Sequence, residues 1–551
     1  MSTSGDRRPY PWAVPQHDLL VIGLDGFDIG YGEPLIDAGD LPSLRDLRGR
    51  SRRFLLDHGA AARTGLAWEH FASGCTPERT RRASAVDFIG ADYNPVQRGT
   101  RLTPFFASLS ARVVVFDPPY ADISRTPEVN GIVSWGAHDP GVVPSTNPAG
   151  LRSELDQRFG PYPADRWTYS SPWPSAGRTD EMRRGLLDGL RVRREAAQWL
   201  LTERFPEWDL AIVVAGEPHT AAEAFWHGVD PTHPLHDIPS AVPAAKGLAD
   251  VYRSLDAMVG ELINATNPRN VVAFSMGGMG TNNSDAPSMA LLPELVYRWA
   301  TGDTLLQVPL GWAADPTGVP ILPEDETWQL AVSRCFPAVD RSVPERINAR
   351  IRRAARSMRR RSSGDRPPSD EHGLGWQPAS RYRAHWPTMR AFALPSFYDG
   401  RVRVNLRGRE GAGIVDVADY VAVCDELEVV LRECRDPRTD EPVVAHIARP
   451  GATHPLALDP TDADIVITWR GPSCAFEHPT LGVVGPLPFR RTGGHTGPYG
   501  FAYIAGEGIE VGNGGVRSAF DVAPTVAELL DQIPTALMDG SSLLRQSMIA
   551  G

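Results

Sequence analysis

The sequence predicts an α/β fold with a central, mostly parallel sheet flanked by helices. Three observations predict it. Strand-length apolar runs recur at 19–24, 112–118, 209–215 and 270–275, too continuous for half-wetted antiparallel strands. Segments of helical periodicity stand between them, notably 181–204 and 250–262. Strand and helix also alternate along the chain, as a parallel sheet covered by helices requires.

Taken in order, the first run is LLVIGLDGFD at 19–28, which ends in Asp25 at a glycine turn. This delivers a carboxylate to the carboxyl end of the sheet, where open α/β folds place ligands. An acidic residue there would equally serve as the cap of the next helix. Residues 35–47 read as two short helical pieces broken at Pro42, and 60–74 as a turn leading into a short helix. Small residues and Thr64 precede that helix, where unpaired backbone N–H groups favour an anion. Segment 181–204 carries Leu186, Leu187, Leu190 and Leu200 on one side. Strand 209–216 runs straight into EPHTAAEAFWH, and a helix starting near Pro218 puts His219 and Glu223 on one face.

The alternation breaks from 293 to 387. Residues 346–361 form an arginine-dense stretch with helical spacing, followed by a loop at 362–368. An insertion or lid beside the core is the simplest arrangement. Its basic helix is a solvated face or a surface for a membrane or an acidic substrate. Strand signals resume at 390–395 and at 400–407, where alternation suggests one wet face. Helix 418–435, strand 463–469, the loop GGHTGPYG at 493–500, strand 501–505 and helix 518–530 close the chain. The expected division is 15–292 and 388–546 for the two parts of the core, with 293–387 inserted.

Composition narrows the function. Apolar content of 42% supports a sizeable core, and a net charge of -11 argues against a nucleic-acid partner. Arginine supplies nearly all the positive charge, Lys246 being the only lysine. Five scattered cysteines form no CxxC pair, so neither a disulfide framework nor a thiolate zinc site is indicated. No apolar leader opens the chain and no apolar run reaches membrane-spanning length. A reduced, soluble, cytoplasmic protein acting on a small molecule is expected, and nothing in the residues sets an oligomeric state.

Five stretches in order resemble the alkaline phosphatase superfamily, in its type I phosphodiesterase/nucleotide pyrophosphatase branch. They are VIGLDGFD with LPSLRDL, RTGLAWEHFASGCTPE, GEPHTAAEAFWHGVDPTHPL, FSMGGMG, and GGHTGPYGFAYIAGEGI with DVAPTVAELL and MDGSSLL behind it. The resemblance implies an alkaline phosphatase-like sheet and two metals, usually zinc, about 4 Å apart, that drive an in-line phosphoryl displacement. It makes Asp25 a metal ligand, Thr64 the nucleophile and His495 the last histidine ligand. His219 and Glu223 stand where the family has an aspartate and, four residues on, a histidine. Met276 and Gly277 stand where it has an Asp-His pair, and neither suits zinc.

What survives is a His₂Glu set of His219, Glu223 and His495, like a three-ligand catalytic zinc site. One divalent metal, zinc first, or none is therefore expected. Without the second metal Thr64 has no evident means of losing its proton. Trp68, His227 and Asn282 are the candidates for substrate contact. His227, His233 and His236 would also shape their loop, Asn282, Asn283 and Asp285 could replace the missing ligands, and Asn405 with 407–410 would order a strand end. Three functions stay open. The first is an enzyme that hydrolyses or transfers a phosphate- or sulfate-bearing small molecule. The second is a metal-independent transferase or lyase of specialised metabolism using Glu223 and His219. The third is a non-catalytic protein that keeps the pocket for a ligand.

Overall fold

The computed structural model describes residues 17–100, 102–136, 144–167, 175–337, 371–533 and 538–545. The arginine-dense stretch at 346–361 and the loop after it lie outside the described residues, as do the outer limits expected at 15 and 546. The main sheet is built from β1 (His17–Leu24), β2 (Arg52–Asp57), β3 (Val113–Phe116), β4 (Val129–Val133), β5 (Ser145–Asn147), β6 (Leu210–Ala215), β7 (Pro268–Ser275), β8 (Gly500–Gly506) and β9 (Gly512–Ser518). Their order across the sheet is β9-β2-β8-β7-β1-β6-β3-β4-β5. Strands β7, β1, β6, β3 and β4 are parallel. Strand β8 runs against β7 and β2, and β5 against β4. This is the mostly parallel α/β sheet that the apolar runs predict.

β1 shows why the runs are continuous. It lies between β6 and β7, with Val21 opposite Ile212 and Val272. Its side chains alternate between two apolar layers. Leu20, Ile22 and Leu24 join one core, and Leu19 and Val21 the other. Both faces are covered from Leu19 onward, so the run 19–24 carries no polar side chain, and His17 and Asp18 stand only at the strand's entry.

The helices are α1 (Ile29–Ala38), α2 (Pro42–Gly49), α3 (Ala67–Ser73), α4 (Ala176–Trp199), α5 (Glu217–Phe225) and α6 (Ala241–Thr266). The break expected at Pro42 is present: α1 stops at Gly39 in a left-handed conformation, and Pro42 opens α2. The helix expected at 250–262 is longer in the structure. It begins at Ala241 and ends on Asn267 at φ 43°. Among the described residues no helix is long and apolar enough to cross a membrane.

Residues after 388, expected in the main sheet, at first pair among themselves. Ala391–Ala393, Gly400–Val404, Ile465–Trp469 and Val444–Ala448 form a separate antiparallel sheet in that order. It has its own core, shared with helix Leu292–Thr301 and with Trp328. The chain rejoins the main sheet only at β8. The wet face expected on 400–407 is buried at Arg401, Arg403 and Asn405 and exposed at Arg407, because the two inner arginines are matched locally. Arg401 Nε donates to Asp399 Oδ1 at 2.9 Å, and Arg403 Nε to Glu410 Oε1 at 3.1 Å. Alternating charge reads as solvent-facing unless a carboxylate is supplied within a few residues, and here it is.

Candidate active site

Parallel strands bring their carboxyl ends to one edge, and the loops leaving them meet there. Asp25 follows β1, α5 follows β6, and Met276 and Gly277 follow β7. The turn after β1 passes hard against α5. Gly26 has φ +67°, and a Cβ there would lie 2.3 Å from the His219 Cα. Only glycine satisfies both conditions. Pro218 stands in the first turn of α5, and Glu217 before it is fully buried. Arg193, from α4, donates from Nε to both Glu217 oxygens at 2.9 Å and from Nη1 to Asp117 at 2.9 Å. His495 arrives on Gly493–Gly497, which pairs antiparallel with Gly278–Thr281 beyond β7.

Five side chains named by the sequence meet in this place, Asp25, Trp68, His219, Glu223 and His495. Asp25 Oδ1 accepts from Trp68 Nε1 at 2.8 Å, and Asp25 Oδ2 faces His219 Nδ1 at 3.2 Å. His219 Nε2 faces His495 Nε2 at 3.0 Å and Glu223 Oε1 at 3.0 Å, one turn further along α5. With the His219 Nδ1–H assigned to Asp25, Nε2 is an acceptor, and His495 Nε2–H is its donor. That tautomer leaves the Glu223 carboxylate to another partner, the guanidinium of Arg491, which touches Oε1. Arg491 also grips Asp285 with Nε at 2.7 Å and Nη2 at 2.8 Å, and Arg490 Nη1 reaches Asp285 at 3.0 Å.

All of these groups but Asp285, which lies behind the arginines, line a cavity of about 140 Å³. Its roof comes from a second body, the antiparallel sheet of residues 391–469 with the chain around it, through Trp376, Phe397 and Tyr398. The Tyr398 ring packs edge-on against His495, with centroids 5.5 Å apart. Gly277 leaves the wall open, because a Cβ at that position would meet nothing within 4 Å. Burial, with His219 alongside, pushes the His495 imidazole down to about 3. His58 lines the same cavity, faces His70 Nδ1 at 2.9 Å, and burial pushes it to about 4. Burial also pulls the Arg491 guanidinium down to about 9, still above neutrality, and its two carboxylate contacts hold the charged form.

Thr64, His227 and Asn282 fall elsewhere. Thr64 ends a short 3₁₀ turn, Gly59–Thr64, and its hydroxyl donates to Ala61 O at 2.8 Å while accepting from Leu66 N at 3.2 Å. Its neighbours Ala62 and Gly65 line the cavity, and Thr64 is not among the lining residues. Trp68 lines the cavity with its indole N–H committed to Asp25. His227 is wholly buried against Ser240, with Nε2 and Oγ 3.0 Å apart, and does not reach the cavity. Asn282 braces the loop instead. Its Oδ1 accepts from Asp285 N at 3.1 Å, and its Nδ2 donates to Gly493 O at 3.1 Å. His58, Arg490, Arg491 and Tyr398 belong to the cavity and escape a local reading of the sequence. The one available signal is the Arg-Arg pair just ahead of GGH at 493–495.

A metal can be tested against these donors. The second position of a two-metal site does not fit: Met276 packs into the apolar layer with Trp68 and Phe274, and Gly277 offers no side chain. At the first position the contacts run pairwise through His219, and the Glu223 oxygen that faces it is the one Arg491 touches. Among the described residues no group of three or more His, Cys, Asp or Glu side chains is arranged to hold a metal ion.

Residues 19–313, more than half of the chain, match the family model "Type I phosphodiesterase / nucleotide pyrophosphatase". The chain belongs to that family. A search of curated proteins finds no match. Among solved structures, a phosphonoacetate hydrolase from Sinorhizobium meliloti 1021 bound to phosphonoformate is 15% identical at a TM-score of 0.45, covering 94% of this chain and 96% of that one. Human ectonucleotide pyrophosphatase/phosphodiesterase 5 is 9% identical at a TM-score of 0.46, covering 95% of this chain and 97% of that one.

Proposed function

We propose that this chain is a cytoplasmic enzyme that hydrolyses or transfers a phosphate- or sulfate-bearing small molecule in the cavity between the main sheet and the second body. The observation that carries the proposal is the line Asp25–His219–His495, with contacts of 3.2 and 3.0 Å on the cavity floor. A carboxylate that holds Nδ1–H of an imidazole orients Nε2 as a base and stabilises the imidazolium once it forms. Water, or the hydroxyl of an acceptor, attacks the phosphorus or sulfur and gives its proton to His219 Nε2. The bond to the leaving oxygen breaks, and the proton returns to that oxygen from His219. For this, substrate draws the His495 Nε2–H away from His219 Nε2 and onto a non-bridging oxygen, where charge gathers, which frees the His219 lone pair to take the proton.

The nucleophile is assigned to water or the acceptor, because the Thr64 hydroxyl donates its proton to Ala61 O and does not line the cavity. The roof residues Trp376, Phe397 and Tyr398 act as a lid in this proposal, on the segment expected to be inserted and just beyond it.

The test is turnover of activated phosphodiesters, phosphomonoesters and sulfate esters by purified protein. At least one class should react, and His219→Ala should lose about 10²–10⁴-fold in kcat/KM. Thr64→Ala should stay within about tenfold of wild type, whereas a covalent threonine nucleophile would lose nearly everything. No turnover of any class, or a His219→Ala variant as active as wild type, would overturn the proposal.

A further inference from the structure

The place that the family's metal chemistry would occupy is taken by part of the chain itself. Glu223 would be the only anionic ligand in the His₂Glu set, and its Oε1 is in contact with the Arg491 guanidinium. This is a constructed contact. The backbone of Thr492 donates to Glu223 O at 2.8 Å, which ties the strand carrying Arg491 to α5 at that residue. On its other side the guanidinium is gripped by Asp285 through two nitrogens. Asp285 is held by Asn282, whose own backbone N–H donates to Thr492 O at 2.9 Å. Glu223, Arg491 and Asp285 are all buried, so the charges are fixed on three sides and not waving in solvent. A dication among His219, Glu223 and His495 would stand against a guanidinium and compete for its carboxylate.

We infer that Arg491 is a resident cation that takes the place of the metal in this cavity and holds the anionic group of the substrate directly. A guanidinium has N–H donors beyond the three used in these contacts, and Arg491 lines the cavity. Planar, charge-assisted donors suit phosphate and sulfate oxygens. Met276 and Gly277 fit the same picture, since a site that relies on a guanidinium has no use for a second pair of metal ligands.

The inference concerns the cavity proposed above, but it is decided by metal content and anion binding, neither of which requires turnover. Wild-type protein produced with added zinc is assayed for bound metal by mass spectrometry and titrated with zinc alone by calorimetry. Substoichiometric metal and no zinc binding at micromolar concentration are expected. About one tightly bound zinc per chain would overturn the inference. Arg491→Met frees Glu223 and should gain zinc binding, while weakening competition by inorganic phosphate against a fluorescent or chromogenic anion by about tenfold or more. Arg491→Lys keeps a cation and should stay zinc-free. If Arg491→Met does not fold, wild type and Arg491→Lys still decide the question. Unchanged phosphate binding in a folded Arg491→Met variant would overturn the anion-holding role.

Discussion

Gly26 and Gly277 lie on the same cavity and make opposite demands. At Gly26 a side chain would collide with the α5 backbone, and the conformation itself, at φ +67°, disfavours one. At Gly277 a methyl group meets only open space. Gly26→Ala should therefore cost about 1–3 kcal/mol and displace His219, while Gly277→Ala should stay within about 0.5 kcal/mol of wild type. Chemical denaturation of the two variants checks this, and equal losses would contradict it. The Asp-Gly turn was legible in the sequence because its pattern is local. The partners of Glu223 were not. Arg491 lies 268 positions away, in a chain where arginine supplies nearly all the positive charge, so its place in the pair just ahead of GGH is a weak mark. His58 was hidden for the same reason: its neighbourhood is made by the fold and not by its flanking residues.

At the scale of elements, the site depends on where α5 begins. The i, i+4 spacing of His219 and Glu223 was readable once a helix was placed near Pro218, and the structure puts both on one face. What fixes that helix against the sheet was not readable. Arg193, fully buried on α4, bridges Glu217 at the head of α5 and Asp117 at the end of β3. Tyr162 adds its hydroxyl to Glu217 at 2.9 Å. Three ionised groups are buried together, and removing the central one leaves two carboxylates without their cation. Arg193→Leu should cost about 3–5 kcal/mol, and Arg193→Lys should recover only part of it, because an ammonium lacks the fork that serves two carboxylates. Urea unfolding midpoints with an unchanged slope test the claim. A loss below about 1 kcal/mol in Arg193→Leu would mean the network is dispensable.

At the scale of the whole molecule, two bodies of different legibility meet over one cavity. The main sheet was legible because parallel strands buried on both faces must be apolar along their buried length, as β6 and residues 19–24 of β1 are. The second body was not, because its strands are short and its buried arginines look like surface. Tight closure also buries imidazoles, and this gives the protein a pH dependence that can be worked out. Burial holds His58 and His233 at about 4 and His227 at about 3, below the ordinary value of 6.5. Between those folded values and 6.5 the unfolded chain binds more protons than the folded one, so stability rises with pH across that window. Acidifying from pH 7 towards 4 should therefore destabilise the fold, while above about pH 7 these groups add no slope. Buried carboxyls at Asp28, Asp256, Asp285 and Asp521 are raised by desolvation and act in the opposite sense, favouring the fold as they take up protons. The two effects separate by comparison: His227→Gln, at a position outside the cavity, removes one imidazole and leaves the carboxyls alone. A tenfold difference in proton affinity between folded and unfolded chain is worth about 1.4 kcal/mol, so the loss between pH 7 and 5 should be smaller in the variant by on the order of 1–2 kcal/mol. Thermal melts of both proteins at half-unit pH steps measure it, and parallel curves would show that His227 carries no such linkage.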